Sequence, residues 1–537
     1  MRSARPPLDL LHHLPRAAAL ETPAAPALTA GATTWSYAEL AAAIDAFARG
    51  LAALGLPRAA RVAIYLDKRL ETVVASFGAP AAGGVFVPLN PLLKAEQVGY
   101  ILNDCTVTVL VTSRERLALL APVLGECKAL RHVVVVDGPA DGLPAGVAGW
   151  RWDGLGGASA GVPARVIDTD IAAILYTSGS TGRPKGVVLS HRNMVAGAKS
   201  VASYLDNRAD DVLLAALPLS FDAGFSQLTT AFAAGARVVL LNYLLPRDVL
   251  NALEREQVTG LTAVPPLYIQ LAALEWPAVI DRHLRYFANT GGRMPRETLA
   301  RLRARVPSAQ PFLMYGLTEA FRSTYLPPTE VDRRPDSIGK AIPNAEVLVL
   351  REDGSECAVD EPGELVHRGA LVALGYWNDP AKTAERYRLL PGREGALPLP
   401  EYAVFSGDTV RRDADGFLYF IGRRDEMIKT SGYRVSPTEV EELVYATRLV
   451  GECAAFGVEH PTLGQAIHVV ATAPDGSDAL AADALAAECR RRMPAYMVPA
   501  AIEPVVGPLP RNPNGKIDRQ RLAAERRDRR PAGAVAS

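Results

Sequence analysis

Tyr176-Thr-Ser-Gly-Ser-Thr-Gly-Arg-Pro-Lys-Gly186 decides the reading of this chain. An apolar run, Ile171 to Tyr176, leads into it, and a second, Val187-Val-Leu189, leads out. Both read as buried strands. Between them Thr177, Ser178, Gly179, Ser180, Thr181 and Gly182 are all small or hydroxyl-bearing. Such a segment brings its backbone close to a ligand and offers amide and hydroxyl donors, while Lys185 adds a positive charge. That combination suits the oxygens of a polyphosphate. An ordinary turn needs fewer such residues and no Pro184-Lys185 pair behind them. A Walker A loop is excluded by spacing, because Gly182 is followed by Arg183 and not by Lys and Ser/Thr. The loop also exits into a strand, where a Walker loop opens a helix.

The 537 residues leave room for roughly three or four domain-sized units. Lys+Arg and Asp+Glu balance at 58 each, so no basic field points to nucleic acid. Cys105, Cys127, Cys357, Cys453 and Cys489 are scattered without a CxxC pair. This pattern argues against a disulfide framework or zinc site and predicts a reducing, cytoplasmic setting. The start lacks a long apolar core, so no signal peptide is expected, and no run approaches a membrane span.

Along the chain, β-rich and helical runs alternate. Ser36-Tyr-Ala-Glu39 is a capping box opening a helix that Gly55 closes. Arg61 to Leu66 reads as a strand, Leu70 to Ala82 as a helix, and Val85 to Val87, Val107 to Val111 and Val133 to Val136 as further strands. This alternation predicts a largely parallel α/β sheet. Residues 138–165, rich in Gly, Ala and Pro, read as a loop. His191 reads as structural, since no carboxylate or nucleophile stands near it.

Three later stretches carry chemistry. The first pairs Asn289-Thr-Gly-Gly292 with Tyr315-Gly-Leu-Thr-Glu-Ala320, each following a strand-like run. Loops at the carboxyl ends of α/β strands converge on ligands. Gly291 and Gly292 admit a flat base, Tyr315 can stack on it, Thr318 can donate to phosphate and Glu319 can hold Mg²⁺. The second is Phe405-Ser-Gly-Asp408, where an acidic side chain after a glycine turn can accept both ribose hydroxyls. The third is Gly422-Arg-Arg-Asp-Glu-Met-Ile-Lys-Thr-Ser-Gly-Tyr-Arg434, dense in charge and glycine, after which the apolar pattern restarts. It marks a boundary between a unit of residues 1–423 and one of 424–525, with 526–537 expected to be a disordered tail. The second unit ends in Pro510-Arg-Asn-Pro-Asn-Gly-Lys-Ile-Asp518, which displays Lys516 on a loop.

In this order the motifs resemble those of the adenylate-forming superfamily, which comprises acyl-CoA synthetases, luciferases and the adenylation domains of peptide synthetases. The match runs from about Ser36 to Leu522. The resemblance implies an α/β fold with a large N-terminal adenylate-forming domain of mixed sheets and helices and a small mobile α+β C-terminal domain. It assigns Thr177 to Lys185 to the triphosphate, Gly291, Gly292 and Tyr315 to the adenine pocket, and Thr318 and Glu319 to phosphate and Mg²⁺. Asp408 becomes the ribose ligand and Arg423 a ribose or phosphate contact. Asp425 becomes the hinge, Gly432 and Arg434 the thiol path, and Lys516 the catalytic lysine bridging carboxylate and phosphate. Arg293 departs from the small residue usual after the Gly pair. Leu217 to Leu241 and Tyr315 to Gly339 look most like the acyl-CoA ligases that accompany exosortase A systems. ATP, Mg²⁺ and coenzyme A are the implied cofactors, and a small carboxylic acid the substrate. The alternative acceptor is an acyl carrier protein. A phosphotransferase using the same loop would release ADP, and a silent binding protein would usually have lost Lys516, Glu319 or Asp408.

Phe221-Asp222 resembles the Phe-Asp pair with which amino-acid-activating relatives hold an ammonium group. Against that, Gly224 replaces the pattern's serine, and Phe225, Leu228 and Phe232 would suit an acyl chain. An acyl or hydroxyacyl acid is therefore favoured over an amino acid.

Overall fold

The buried strands predicted on either side of the Gly/Ser/Thr stretch pair antiparallel, with Thr177 opposite Lys185. A computed structural model describes residues 8–155, 161–177, 184–390, 400–423, 426–430, 433–460, 463–474, 480–493, 495–512 and 515–527. Among these, three sheets of eight, fourteen and five strands organise the chain. The eight-stranded sheet carries Ile171–Thr177 and Lys185–Ser190 and continues through Val85–Pro88, Arg61–Tyr65, Val109–Thr112 and His132–Val135 to an edge strand, Ala148–Arg151. The fourteen-stranded sheet holds a parallel run, Pro26–Ala30, Arg237–Leu240, Val212–Ala215, Gly260–Ala263, Tyr286–Asn289 and Gln310–Tyr315. It then turns antiparallel and reaches Leu418–Arg423 and Tyr402–Arg412.

Between the two large sheets the helices Tyr37–Ala53 and Leu70–Ala81 bury a continuous core. The first is fixed by the predicted box, in which Ser36 Oγ accepts from the Glu39 amide and the Glu39 carboxylate accepts from the Ser36 amide. Gly55 follows at φ +73°, a conformation that costs glycine little. Within residues 138–165, expected to be loop, one short strand forms among the described residues. Ala148–Arg151 pairs parallel with His132–Val135. Its four residues are all exposed, so no apolar alternation announces it; backbone pairing holds it, together with Trp150 Nε1 donating to His132 Nδ1 at 3.2 Å.

After Arg423 the next strand, Ile428–Thr430, belongs to the five-stranded sheet with Tyr433–Val435, Gly464–Ala471, Cys453–His460 and Ala501–Pro504. Residues 424 and 425, and with them the predicted hinge Asp425, lie outside the described residues. The last helix, Arg519–Arg527, runs past Glu525, where the ordered chain was expected to end. Arg526 is held there by Glu503, with Nε 2.6 Å from Oε2. All five cysteines are buried and none is in a disulfide. Among the described residues no helix is long and apolar enough to cross a membrane.

His191 is fully buried. Its Nδ1 accepts the Leu11 amide at 3.0 Å and pins the N-terminal segment. Burial pushes its pKa down to about 4. His367, hydrogen-bonded to Ser323 Oγ at 2.9 Å, is likewise pushed by burial down to about 4. Both folded pKa values lie below the unfolded value, so the unfolded chain takes up protons first as pH falls. Stability at these sites is therefore full above the unfolded histidine pKa and is lost as pH falls toward 4. At pH 5 each site has lost about 2 kcal/mol. Thermal midpoints measured from pH 7.5 to 4.5 should fall less steeply for His367→Gln than for wild type. Parallel curves would show that His367 is not neutral in the fold.

Candidate active site

The loops predicted to converge do so around a cavity of about 1640 Å³ lying between the large unit and the C-terminal segment. Three parallel strands end on it. Gly260–Ala263 leads to Val264-Pro265-Pro266, Tyr286–Asn289 to Thr290-Gly-Gly292, and Gln310–Tyr315 to Gly316-Leu317-Thr318. The Gly pair is shaped locally, because Asn289 Nδ2 donates to the Gly292 carbonyl at 2.8 Å. Gly291 sits at φ +76°, and a Cβ there would lie 2.9 Å from Lys516 Cε. The second unit therefore lays Lys516 directly on the backbone that the sequence assigned to a flat base.

Lys516 is partly buried. Its amide donates to Asn512 Oδ1 at 3.1 Å, which fixes the turn, and its Nζ lies 5.8 Å from the Phe221 ring centre. Loss of solvent around the ammonium lowers its pKa, opposed chiefly by Asp222 and less by Asp408.

Asp408 is the hub of the other end. Tyr315 donates its hydroxyl to Oδ2 at 2.5 Å, and Arg423 Nε donates to Oδ1 at 3.0 Å. Ser406 Oγ accepts the Asp408 amide at 3.1 Å and donates to the Leu365 carbonyl at 2.7 Å, which sets the turn. Burial, then the Asp408 charge, holds the Tyr315 phenol well above its ordinary pKa. Tyr315 is thus anchored by its hydroxyl, and its ring lies 6.2 Å from that of Phe420.

Thr318 and Glu319 open a short 3-10 turn. Tyr376 donates its hydroxyl to Glu319 Oε1 at 2.6 Å. The strand Gly375–Tyr376 pairs with Lys185–Ser190, and Lys185 Nζ lies 5.8 Å from the Tyr376 ring centre. Thr177, Lys185, Thr318 and Glu319 therefore share one wall of the cavity. Among the described residues no group of three His, Cys, Asp or Glu could hold a metal by itself. Ser178, Gly179, Ser180, Thr181, Gly182 and Gly432 lie outside the described residues. Arg434 lies in Tyr433–Val435, its backbone opposite Lys429.

The acyl side departs from expectation in one respect. Phe225, Leu228 and Phe232 are taken up by the core between the sheets, where Phe225 packs on Phe77 and Phe86 at ring distances of 5.6 and 4.8 Å. They face helices and strands, so none lines the cavity. Phe221 and Asp222 do line it. The helix Asp222–Ala234 begins here, and Gly224 is required: a Cβ would stand 1.9 Å from the Pro218 carbonyl oxygen. That contact leaves no space for the serine of the amino-acid pattern. Arg293, the other departure, is held by Asp336 at 2.5 Å and reaches Glu442 of the second unit at 3.7 Å.

Three residues escaped the sequence reading. Tyr376 stands in none of the motifs. Arg386 crosses the Ser406-Gly407-Asp408 turn and donates to the Phe405 carbonyl at 3.2 Å. Arg322, the one charged residue between Glu319 and Glu330, carried the one available signal, and it pairs with Asp222 at 3.3 Å.

The chain is similar to known proteins over most of its length. A family model described as AMP-binding enzyme matches residues 15–377, and one described as AMP-binding enzyme C-terminal domain matches 439–516. A plipastatin synthase protein of Bacillus subtilis is 30% identical over 94% of this chain, which spans 13% of that protein's length. The L-proline--[L-prolyl-carrier protein] ligase of Pseudomonas fluorescens is 32% identical over 91% of this chain and 94% of its own. Feruloyl-CoA synthase of an Amycolatopsis species is 32% identical over 92% and 95%. Among solved structures, ATP-bound MatB from Rhodopseudomonas palustris superposes with a TM-score of 0.82 at 27% identity, covering 97% of this chain and 99% of that one. The fold is the mixed α/β architecture of these ligases, a large N-terminal AMP-binding domain followed by a small C-terminal one. With both family models matched in order along it, the chain belongs to the AMP-binding enzyme family.

Proposed function

We propose that the protein activates a carboxylic acid as its acyl adenylate, with release of pyrophosphate, and passes the acyl group to the thiol of coenzyme A. The observation that carries this reading is Lys516 resting on Gly291, between Asp408 at one end of the cavity and Asp222 at the other. A carboxylate is a poor acyl donor to a thiol, because its oxygen leaves poorly and its charge repels a thiolate. Attack of the acid's oxygen on the α-phosphorus of ATP forms the mixed anhydride and breaks the bond to pyrophosphate. Two anions must approach, so an enclosed lysine between them and fixed positioning lower the barrier. A thiol then attacks the acyl carbon and AMP leaves. Lys516 serves the first step; the segment around Gly432 and Arg434 would line the thiol path once the second unit turns about Asp425.

Asp408 would accept the ribose hydroxyls beside Arg423, Gly291 and Gly292 would admit the adenine, and Thr177 to Lys185 with Thr318 would take the phosphates. Glu319 fits Mg²⁺ in one specific sense. It lines the cavity beside Thr318 and Lys185, with one oxygen already held by Tyr376. Mg²⁺ takes few protein ligands and draws the rest from phosphate and water, and when bound it supplies charge neutralisation. Glu319→Gln should weaken use of Mg²⁺-ATP roughly 10- to 100-fold while leaving AMP binding within about threefold. Titration calorimetry with AMP beside ATP-dependent turnover makes the comparison. Equal losses would make Glu319 structural.

The resemblance of Leu217 to Leu241 and Tyr315 to Gly339 to exosortase A-associated ligases supports coenzyme A as acceptor. The likeness to a prolyl-carrier-protein ligase favours a second reading, a carrier-protein thiol. A pyrophosphate-release screen across carboxylic acids, with AMP quantified, tests the first half of the proposal; ADP as product would point to a phosphotransferase. Supplying each thiol separately to preformed acyl adenylate decides the acceptor.

A further inference from the structure

Asp222 and Arg322 are buried together, with side chains 4% and 2% exposed and Arg322 Nη1 3.3 Å from Asp222 Oδ2. Both line the cavity beside Lys516 and Phe221. Phe221 precedes the helix Asp222–Ala234, so Asp222 stands in that helix's first turn, where a negative charge is favoured. Arg322 is presented by a strained turn: Phe321, not a glycine, holds φ +60°, and its carbonyl accepts Arg322 Nη1 at 3.1 Å. A buried carboxylate needs a cation, and in this chain the protein supplies it.

The pairing is incomplete. Asp222 Oδ1, Arg322 Nε and Ser220 Oγ are all buried without a hydrogen-bond partner. Residues that line the cavity therefore carry an acceptor, a donor and a hydroxyl in need of partners. An ammonium satisfies acceptors only, and it would join two cations already close, since Lys516 lies in the field of both Asp222 and Arg322. A hydroxyl donates and accepts. Behind Arg322 a void of about 10 Å³ remains, lined by Ser226, Gln227, Thr230 and Thr262, room for about one water molecule. A long acyl chain has no path there.

We propose that Arg322 occupies the electrostatic place of a substrate ammonium, so that the Asp222–Arg322 pair selects a short hydroxy acid, with its hydroxyl near the carboxylate, over the matching amino acid. This rests on the acid-ligase reading above and names the substrate class of that site. Arg322 is a specificity-determining residue in this account.

The test uses the full chain and measures pyrophosphate release with matched acids: lactate, alanine and propanoate; 3-hydroxybutyrate, 3-aminobutyrate and butyrate. Wild type should prefer the hydroxy acid to the unsubstituted acid by at least about tenfold and to the amino acid by roughly a hundredfold in kcat/KM. Arg322→Met should raise the amino-to-hydroxy ratio by at least about tenfold, because Asp222 then lacks its cation, and Arg322→Lys should keep the wild-type order. Asp222→Asn gives an independent reading if Arg322→Met fails to fold: the freed guanidinium should draw succinate about tenfold better relative to butyrate. Faster pyrophosphate release with alanine than with lactate in wild type, or ratios unmoved in the variants, overturns the proposal and leaves the ligase reading standing. No pyrophosphate release with any acid in a broad panel overturns the ligase reading itself.

Discussion

Lys516→Ala should lower acyl-adenylate formation by roughly 10³-fold, about 4 kcal/mol of lost transition-state stabilisation, and leave thioester formation from supplied acyl adenylate within about threefold of wild type. The asymmetry follows from where the side chain lies. Lys516 comes from the C-terminal unit yet rests on Gly291 of the large one, within the fields of Asp222 and Asp408. In the proposed first step it stands where a carboxylate and a phosphate must meet, and the loss of one enclosed cation there leaves two anions unscreened. In the proposed second step the nucleophile is a thiol and the phosphate is already part of the leaving group. Single-turnover measurements of pyrophosphate release and of thioester formation from synthetic adenylate separate the two. An equal fall in both would mean that Lys516 holds the two units together and has no part specific to adenylation.

Much of the fold was legible because its elements announce themselves locally. The capping box at Ser36, the β-branched runs Arg61 to Leu66 and Val133 to Val136, and the apolar strands flanking the Gly/Ser/Thr stretch each carry their own pattern. Ala148–Arg151 does not. It is exposed on all four residues and exists because a neighbouring strand edge is free to pair. The same distinction divides the site. Gly291, Tyr315, Asp408 and Lys516 stand in motifs of fixed spacing, and the fold brings them to one cavity. Tyr376, Arg386 and Arg322 reach that cavity by tertiary placement, which no local spacing encodes.

Phe225, Leu228 and Phe232 show the converse error. Their spacing on one helix is that of any buried face, and apolarity alone does not say whether a face meets substrate or core. Here it meets Phe77 and Phe86. Asp222 was ambiguous for a related reason. A buried carboxylate demands a partner, but the sequence does not name it, and Arg322 is a hundred residues away. Gly224 departs from the amino-acid pattern, and the 1.9 Å approach of the Pro218 carbonyl to its would-be Cβ gives that departure a steric cause.

Asp408→Ala should behave differently from Lys516→Ala, because the group it removes would serve every nucleotide state of the cycle. Asp408 is 5% exposed and receives Tyr315 Oη and Arg423 Nε on its two oxygens. If those oxygens also accept ribose hydroxyls, the loss falls on ATP, acyl adenylate and AMP alike. We expect the KM for ATP to rise roughly 10²-fold and use of supplied acyl adenylate to fall by a comparable factor, since a site built around a buried polar contact rejects a missing partner strongly. The alanine also leaves the Tyr315 hydroxyl without its acceptor, a cost of about 1–3 kcal/mol in stability, so Asp408→Asn is the sharper variant. It keeps the shape and one acceptor oxygen and should lose roughly tenfold in both half-reactions with little change in thermal midpoint. ATP titrations of pyrophosphate release, set beside adenylate-fed thioester formation, give both numbers. A defect confined to the ATP-dependent half would remove Asp408 from the ribose and place it with the phosphates.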